Sequence, residues 1–267
     1  MTDQRFTVLF VGAGPGDPDL ITVKGRDALR QADRVIYTGS LVPEALLTHC
    51  RPDARTLDSA SLDLAAIVNA MSAGYANGER VVRLHTGDPS LYGAIHEQMT
   101  LLRKQHIPYA VIPGVTAAFA AAAALGMEFT LPGQTQTLIL TRIAGRTPVP
   151  ERESLIALAA HGASLVLYLS MGQAPEIARV LSDTYGSSAA CVIAEKVGHP
   201  DEAFYQTTVA ELPRLAADKQ IVRHALILIG PCVTQLKKPA DAQSLLYDAG
   251  FSHLYRTGIA EPGKKQP

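Results

Sequence analysis

Short apolar runs alternate with amphipathic stretches along most of the chain. The runs Thr7–Val11, Arg34–Tyr37, Val81–Leu84 and Tyr109–Ile112 predict strands. Between them Lys24–Gln31, Ala65–Ala76 and Leu91–Lys104 carry helical spacing. Strand and helix in strict alternation predict a mostly parallel sheet with helices on both faces. Thr116–Leu125 is alanine-rich and follows Pro113-Gly114, so it reads as a helix whose backbone packs closely against its neighbours. The pattern then starts again. Strands are predicted at Thr137–Arg142, Ser164–Leu169, Ala190–Ala194 and Leu226–Ile229, with helices at Leu155–His161 and Pro175–Tyr185.

Glycine and proline recur around Gly114–Gly133, which puts the boundary between the halves there. The expected organisation is an α/β domain over 1–120, a second over 121–235 and a tail over 236–267. Domain junctions favour ligands, so a cleft between the two domains is the expected site. The tail has weak periodicity. Its Lys237, Lys238, Arg256, Lys264 and Lys265 against Asp241, Asp248 and Glu261 leave it only slightly basic, and it is expected to pack loosely.

Composition narrows the classes. With 47% hydrophobic and 18% charged residues over 267 positions, the chain can bury one large core or two ordinary ones. A formal net charge of -1 gives no support for a nucleic-acid or acidic-membrane partner. No apolar run approaches the roughly 20 residues needed to cross a bilayer. The start, Met1-Thr2-Asp3-Gln4-Arg5, lacks a signal-peptide core, so a cytoplasmic location is expected. Cys50, Cys191 and Cys232 form no CxxC pair and read as simple buried thiols.

The chemistry lies in four glycine-bearing turns beside predicted strand ends. They are Gly12-Ala13-Gly14-Pro15-Gly16-Asp17, Thr86-Gly87-Asp88-Pro89-Ser90, Pro113-Gly114-Val115-Thr116-Ala117 and Leu169-Ser170-Met171-Gly172. In an open α/β sheet, ligands bind outside the carboxyl ends of the strands. The plainer reading of each turn is a strand-to-helix connection, with Asp17, Asp88 or Thr116 as a cap and Met171 as core filler. The first turn is not a dinucleotide fingerprint. Its glycines fall at 12, 14 and 16, and Asp17 stands where G-x-G-x-x-G needs its third glycine. A nicotinamide-dependent oxidoreductase therefore fails its first condition, although Asp33 lies near the position of the ribose-binding acid. A non-catalytic nucleotide-binding module would need neither four such turns nor a second domain of this size.

Taken together the four turns, with Arg83-Leu84-His85 before the second and Tyr168 before the fourth, resemble the tetrapyrrole (corrin/porphyrin) methylases over about residues 6–233. Tyr37-Thr38-Gly39-Ser40-Leu41-Val42, the run from His85 to Gly93, and Thr135–Arg142 with Gly145–Glu151 are similar to the branch that methylates C-11 of the corrin precursor precorrin-4. Methylation at another precorrin position or of uroporphyrinogen III is the alternative within the family.

The resemblance implies two α/β domains, rather than a Rossmann-type methyltransferase, and a homodimer. It implies S-adenosylmethionine as methyl donor, lined by Pro15, Thr86, Gly87, Asp88, Leu91, Thr116, Ala117 and Met171, with contributions from Val197, Ala225 and Leu226. Glycine turns suit the donor's carboxylate, Asp88 its ammonium or a ribose hydroxyl, and Met171, Ala117 and Leu226 its apolar surfaces. The substrate is a tetrapyrrole with several carboxylates, for which Arg142 and Arg146 are the candidate partners. Tyr37, Ser40 and Leu41 belong to the expected wall of its trough. Sirohaem-type members carry an acid just after the tyrosine of the second strand; Tyr37-Thr38-Gly39-Ser40 has none, and no catalytic base is assigned. His85 is expected as a hydrogen-bonding structural residue rather than a base or a cobalt ligand. Any cobalt would arrive inside the substrate.

Overall fold

The computed structural model describes residues 6–236 and 244–259. The chain divides into two compact units. The first takes the residues up to Ala123 together with Glu195–Ala203. The second takes Ala124–Ala194 and the chain from Phe204.

The first unit holds β1 (Val8–Gly12), α1 (Val23–Gln31), β2 (Arg34–Tyr37), β3 (Arg55–Asp58), α2 (Leu64–Ala76), β4 (Val81–His85), α3 (Ile95–Lys104) and β5 (Tyr109–Ile112), and ends within α4 (Ala117–Leu125). Its sheet has the order β3-β2-β4-β1-β5. The pairs β1–β4, β1–β5, β2–β3 and β2–β4 are all parallel. The inner strands are covered on both faces, which is why they read as apolar runs rather than alternations. One face packs Val11, Val35, Val82 and Leu84 around Leu29 of α1. The other packs Val8, Phe10, Ile36 and Val81 against Val68 and Met71 of α2 and Leu102 of α3. Helix starts are set locally: the Thr22 hydroxyl accepts from the Gly25 N–H, and the Asp63 carboxylate from the Ala66 N–H.

The second unit continues with β6 (Leu138–Thr141), α5 (Leu155–Ala159), β7 (Ser164–Leu167), α6 (Ala174–Tyr185), β8 (Ala190–Glu195), β9 (Ala203–Thr208), α7 (Leu212–Asp218), β10 (Ala225–Ile229) and α8 (Pro231–Thr234). Its sheet order is β6-β7-β10-β8-β9. β6 and β7 run parallel, whereas β10 runs antiparallel to β7. Leu165, Leu167, Ile193, Ile227 and Ile229 pack with Ile177 and Leu181 of α6 in its core.

Three details differ from the sequence pattern. β3 and β9 are edge strands that the pattern does not mark, because Leu57 is the one apolar residue of β3 and β9 turns polar after Tyr205. The helix expected from Leu91 begins only at Ile95, because Tyr92 and Ala94 take left-handed φ of 57° and 48°. The first turn also does not feed a helix directly. Gly16 leads into a 3-10 turn, Pro18–Leu20, and α1 starts only at Val23. The helix N-terminus that holds a pyrophosphate in a dinucleotide fold is therefore not at this turn. Cys191 and Cys232 are fully buried as expected, but Cys50 is only partly so.

In the tail, Lys237, Lys238, Asp241, Glu261, Lys264 and Lys265 lie outside the described residues, as do Met1–Arg5. Arg256 ties the described part together through the carbonyls of Leu246, Asp248 and Phe251. Among the described residues no helix is long and apolar enough to cross a membrane.

Candidate active site

The turns after β1, β4 and β5 meet at the carboxyl edge of the first sheet, because these strands are neighbours there. The Ala13 N–H donates to the His85 carbonyl at 2.7 Å, and the Gly87 N–H to the Gly14 carbonyl at 2.7 Å. Asp88 closes the third side. Its Oδ2 accepts from the Gly114 N–H at 2.9 Å, and its Oδ1 from the Ser90 N–H at 2.8 Å. The backbones touch where they cross. A Cβ on Gly12 would stand 2.5 Å from the Gly114 nitrogen and 2.7 Å from the Gly87 oxygen. Glycine is needed there for close approach.

The first turn has a second neighbour that is remote in sequence. The segment Glu195–Ala203 returns to the first unit. A Cβ on Gly16 would meet the His199 ring at 2.6 Å, and one on Gly198 would meet Pro15 at 3.0 Å. Pro15 is buried, and Val197 sits in the same returning segment at 6% exposure. Three turns and this segment thus bring Pro15, Gly87, Asp88 and Thr116 together with the loop that carries Val197. Thr86, Leu91, Thr116 and Ala117 are half-buried around them, and the Thr116 carbonyl starts α4 by accepting from Phe119 and Ala120.

In the second unit Met171 is 4% exposed and belongs to the core cluster of that unit, while Ala225 and Leu226 begin β10 and are buried. The Ser170 hydroxyl accepts from the Ile143 N–H at 3.0 Å and so joins the exits of β6 and β7. Leu169 is 73% exposed with φ 53°. Left-handed φ at Tyr92, Ala94, Leu169, Lys196 and His224 falls on the loops expected to bind. Each such residue costs on the order of 1 kcal/mol, and strain of this kind collects at functional sites. By contrast His106 and Gln220 follow α3 and α7 and are ordinary helix ends.

The expected substrate residues divide. Tyr37 ends β2, and Ser40 and Leu41 follow it at the surface, with Leu41 at 40% exposure. A carboxylate does reach this loop, from β3 rather than from the loop itself. Asp58 Oδ1 accepts from the Gly39 and Ala60 N–H groups, both at 2.9 Å. These bonds hold its carboxyl below the ordinary carboxylate range, which makes it a weak base. Burial raises the Tyr37 hydroxyl, and Asp58 and Glu44 add to the shift. The Arg142 guanidinium is engaged within its own loop, donating to the Thr147 carbonyl at 3.0 Å and the Pro148 carbonyl at 2.7 Å. Arg146 is exposed.

His85 differs from its expected role. Its Nε2 is buried without a partner, and the ring stacks on Phe10 at 5.9 Å between centroids. Burial, with the Arg83 charge adding, pushes it down to about 3, so it is neutral. Two buried polar side chains of the same unit are not marked as site residues by the sequence pattern: Arg83, 4% exposed, and Gln98, 4% exposed. The available signal was one arginine inside an apolar run.

The family model of the tetrapyrrole (corrin/porphyrin) methylases matches residues 7–213, which takes in the glycine-bearing turns. The chain is 46% identical to the precorrin-4 C(11)-methyltransferase of Pseudomonas aeruginosa over 94% of its length and 99% of the relative's. It is 43% identical to the cobalt-precorrin-4 C(11)-methyltransferase of Priestia megaterium, over 93% and 97%. Among solved structures it is similar to a cobalt precorrin-4 methyltransferase of cobalamin biosynthesis, with TM-score 0.82, 43% identity, and coverage of 85% of this chain and 95% of that one. With its turns, its two α/β units and this match across most of its length, the chain belongs to the tetrapyrrole methylases.

Proposed function

We propose that this protein transfers the methyl group of S-adenosylmethionine to C-11 of precorrin-4, or of its cobalt complex, in the building of the corrin ring. The observation that carries the reading is the junction of the β1, β4 and β5 turns, in a chain whose relatives at 46% and 43% identity bear the C(11)-methyltransferase name. The donor suits such a rim. Closely packed glycine turns bring peptide N–H groups to its carboxylate, and small residues such as Ala117 leave room for a flat base.

The donor supplies an activated methyl on a sulfonium. The substrate carbon attacks that methyl with electron push from the conjugated pyrrole nitrogens. The new C–C bond forms as the C–S bond breaks, and S-adenosylhomocysteine leaves. The chain's part is to hold the two reactants in line, a contribution worth up to about 7–11 kcal/mol of barrier. Pro15, Thr86, Gly87, Asp88, Leu91, Thr116, Ala117, Met171, Val197, Ala225 and Leu226 are the residues proposed to hold the donor. Tyr37, Ser40, Leu41, Arg142 and Arg146 are those proposed for the substrate. Asp58 is held ionised and His85 neutral, so neither is assigned a proton transfer.

The reading extends to a homodimer in the cytoplasm, which sedimentation of the purified protein and localisation in the host test. The central experiment incubates the protein with precorrin-4 and with cobalt-precorrin-4, each with methyl-labelled donor, and locates the label by NMR. A label at C-11 is expected; a label at any other carbon, or binding of NADH in place of S-adenosylhomocysteine in calorimetry, overturns the reading.

A further inference from the structure

Beneath the loop that follows β4 is a cavity of about 270 Å³, open between the N-terminal ends of α2 and α3 and lined by Leu64, Ile67, Gly93, Ala94, Gln98 and Arg83. Arg83 forms its floor. Arg83 lies opposite Phe10 and Ile36 in the sheet register and so projects to the α2/α3 side. Its guanidinium is held by neutral groups alone. Nη1 donates to Ser59 Oγ at 2.9 Å and to the Ile36 carbonyl at 3.3 Å, and Nε donates to Gln98 Oε1 at 3.3 Å. Nη2 reaches the Thr38 hydroxyl at 3.5 Å, in the loop proposed as the trough wall. Gln98 is itself fixed by its Nε2, which donates to the Ala94 carbonyl at 3.1 Å.

Among the described residues no carboxylate pairs with Arg83. Elsewhere in the same unit the half-buried Arg34 has Glu79 at 2.5 Å, and Arg51 has Asp33 at 2.7 Å. Burying a charge without a counter-charge is costly. Burial lowers the group only to about 10, so it remains cationic at neutral pH. Two helix N-termini lie at the same opening, where the Asp63 carboxylate already caps α2 and Glu97 stands in the first turn of α3. Glu97 also lines the cavity but is exposed and makes no ion pair with the guanidinium.

We propose that this cavity is a carboxylate subsite, in which Arg83 receives one acetate or propionate side chain of the tetrapyrrole. The inference rests on the methylase reading and deepens it. Gln98, Ser59, Ile36 and Thr38 engage four of the five N–H donors and fix the guanidinium plane, which leaves one Nη2 N–H to donate to an oxygen of a single carboxylate, and the volume suits a short side chain but not a macrocycle. The substrate thereby completes the ion pair that the fold leaves open, and one edge of the ring is set in register.

The test uses the whole protein and two ligands. S-adenosylhomocysteine reports the donor site; uroporphyrin III, with eight carboxylates on a tetrapyrrole, reports the substrate site independently of turnover. Arg83→Gln is expected to weaken uroporphyrin binding and raise KM for precorrin-4 at least tenfold, with kcat within threefold and S-adenosylhomocysteine affinity within twofold of wild type. Arg83→Lys recovers part of the loss. Leu64→Trp, which crowds the opening without touching the guanidinium, is expected to raise KM while leaving the melting temperature unchanged, and it keeps the test open should Arg83→Gln not fold. Unchanged tetrapyrrole binding in Arg83→Gln or Leu64→Trp overturns the proposal, as does a parallel loss of both ligands in a folded variant. Failure of the wild type to bind S-adenosylhomocysteine would instead overturn the methylase reading.

Discussion

Replacing Gly12 by alanine tests whether the meeting of the three turns is a rigid backbone junction. The added Cβ would stand 2.5 Å from the Gly114 nitrogen, 2.6 Å from its Cα and 2.7 Å from the Gly87 oxygen. All three are backbone atoms, so no rotamer change relieves the overlap; β1 must separate from the turns after β4 and β5. Overpacking of this kind costs about 1–3 kcal/mol, and backbone on every side places Gly12→Ala near 3. At about 2–4 °C per kcal/mol for a chain of this size, the melting temperature falls by roughly 6–12 °C. A displacement of about 1 Å at a binding site reduces catalysis on the order of a hundredfold, so kcat/KM falls by that order even at temperatures where the variant is folded. Gly172→Ala is the control: nothing lies within 4 Å of its added Cβ, and it should melt with the wild type. Thermal denaturation by circular dichroism and steady-state methyl transfer read the two effects. A Gly12→Ala protein that melts within 2 °C of wild type with undiminished turnover would refute the junction.

Asp88→Asn retains one acceptor oxygen but loses the charge that serves both the Gly114 and Ser90 N–H groups; a loss of about 1–2 kcal/mol is expected in urea denaturation, with weakened S-adenosylhomocysteine binding. His85 is held near 3 by burial, below its unfolded value of 6.5, so its neutral form stabilises the fold above that value and the stability drains as pH falls from 6.5 towards 3. The slope approaches about 1.4 kcal/mol per pH unit, so His85→Asn should flatten the wild-type pH dependence by about 2 kcal/mol between pH 6.5 and 5; parallel curves would exclude the assignment. Cys191, raised to about 12, and Cys232 are fully buried, so in native protein at pH 8 a thiol reagent should modify Cys50 first and the other two only on unfolding, as mass spectrometry would show.

What the sequence makes legible follows from where apolar residues run unbroken into a turn. β1 and β4 are inner strands, and the edge strand β5 keeps an apolar sequence although only its Ile112 is buried; all three runs end in glycine turns that the sequence marks. The edges β3 and β9 leave no such run, because β3 has one apolar residue, Leu57, and β9 turns polar after Tyr205, and with β3 goes Asp58. A search for an acid next to Tyr37 therefore finds nothing along the chain although one arrives across the sheet at Gly39. The return of Glu195–Ala203 to the first unit is invisible for a different reason. It depends on Gly16 and Gly198 letting two backbones approach, and nothing local to either marks the other. Arg83 is the intermediate case. All five residues of Val81–His85 are buried, and a cation inside a run with both faces covered is costly wherever it is not paired. Such a residue either has a carboxylate partner elsewhere in the fold, as Arg34 has Glu79, or waits for one from outside. The pattern alone identifies the cost; only the neighbours Gln98, Ser59, Ile36 and Thr38, all uncharged, show that the fold does not meet it.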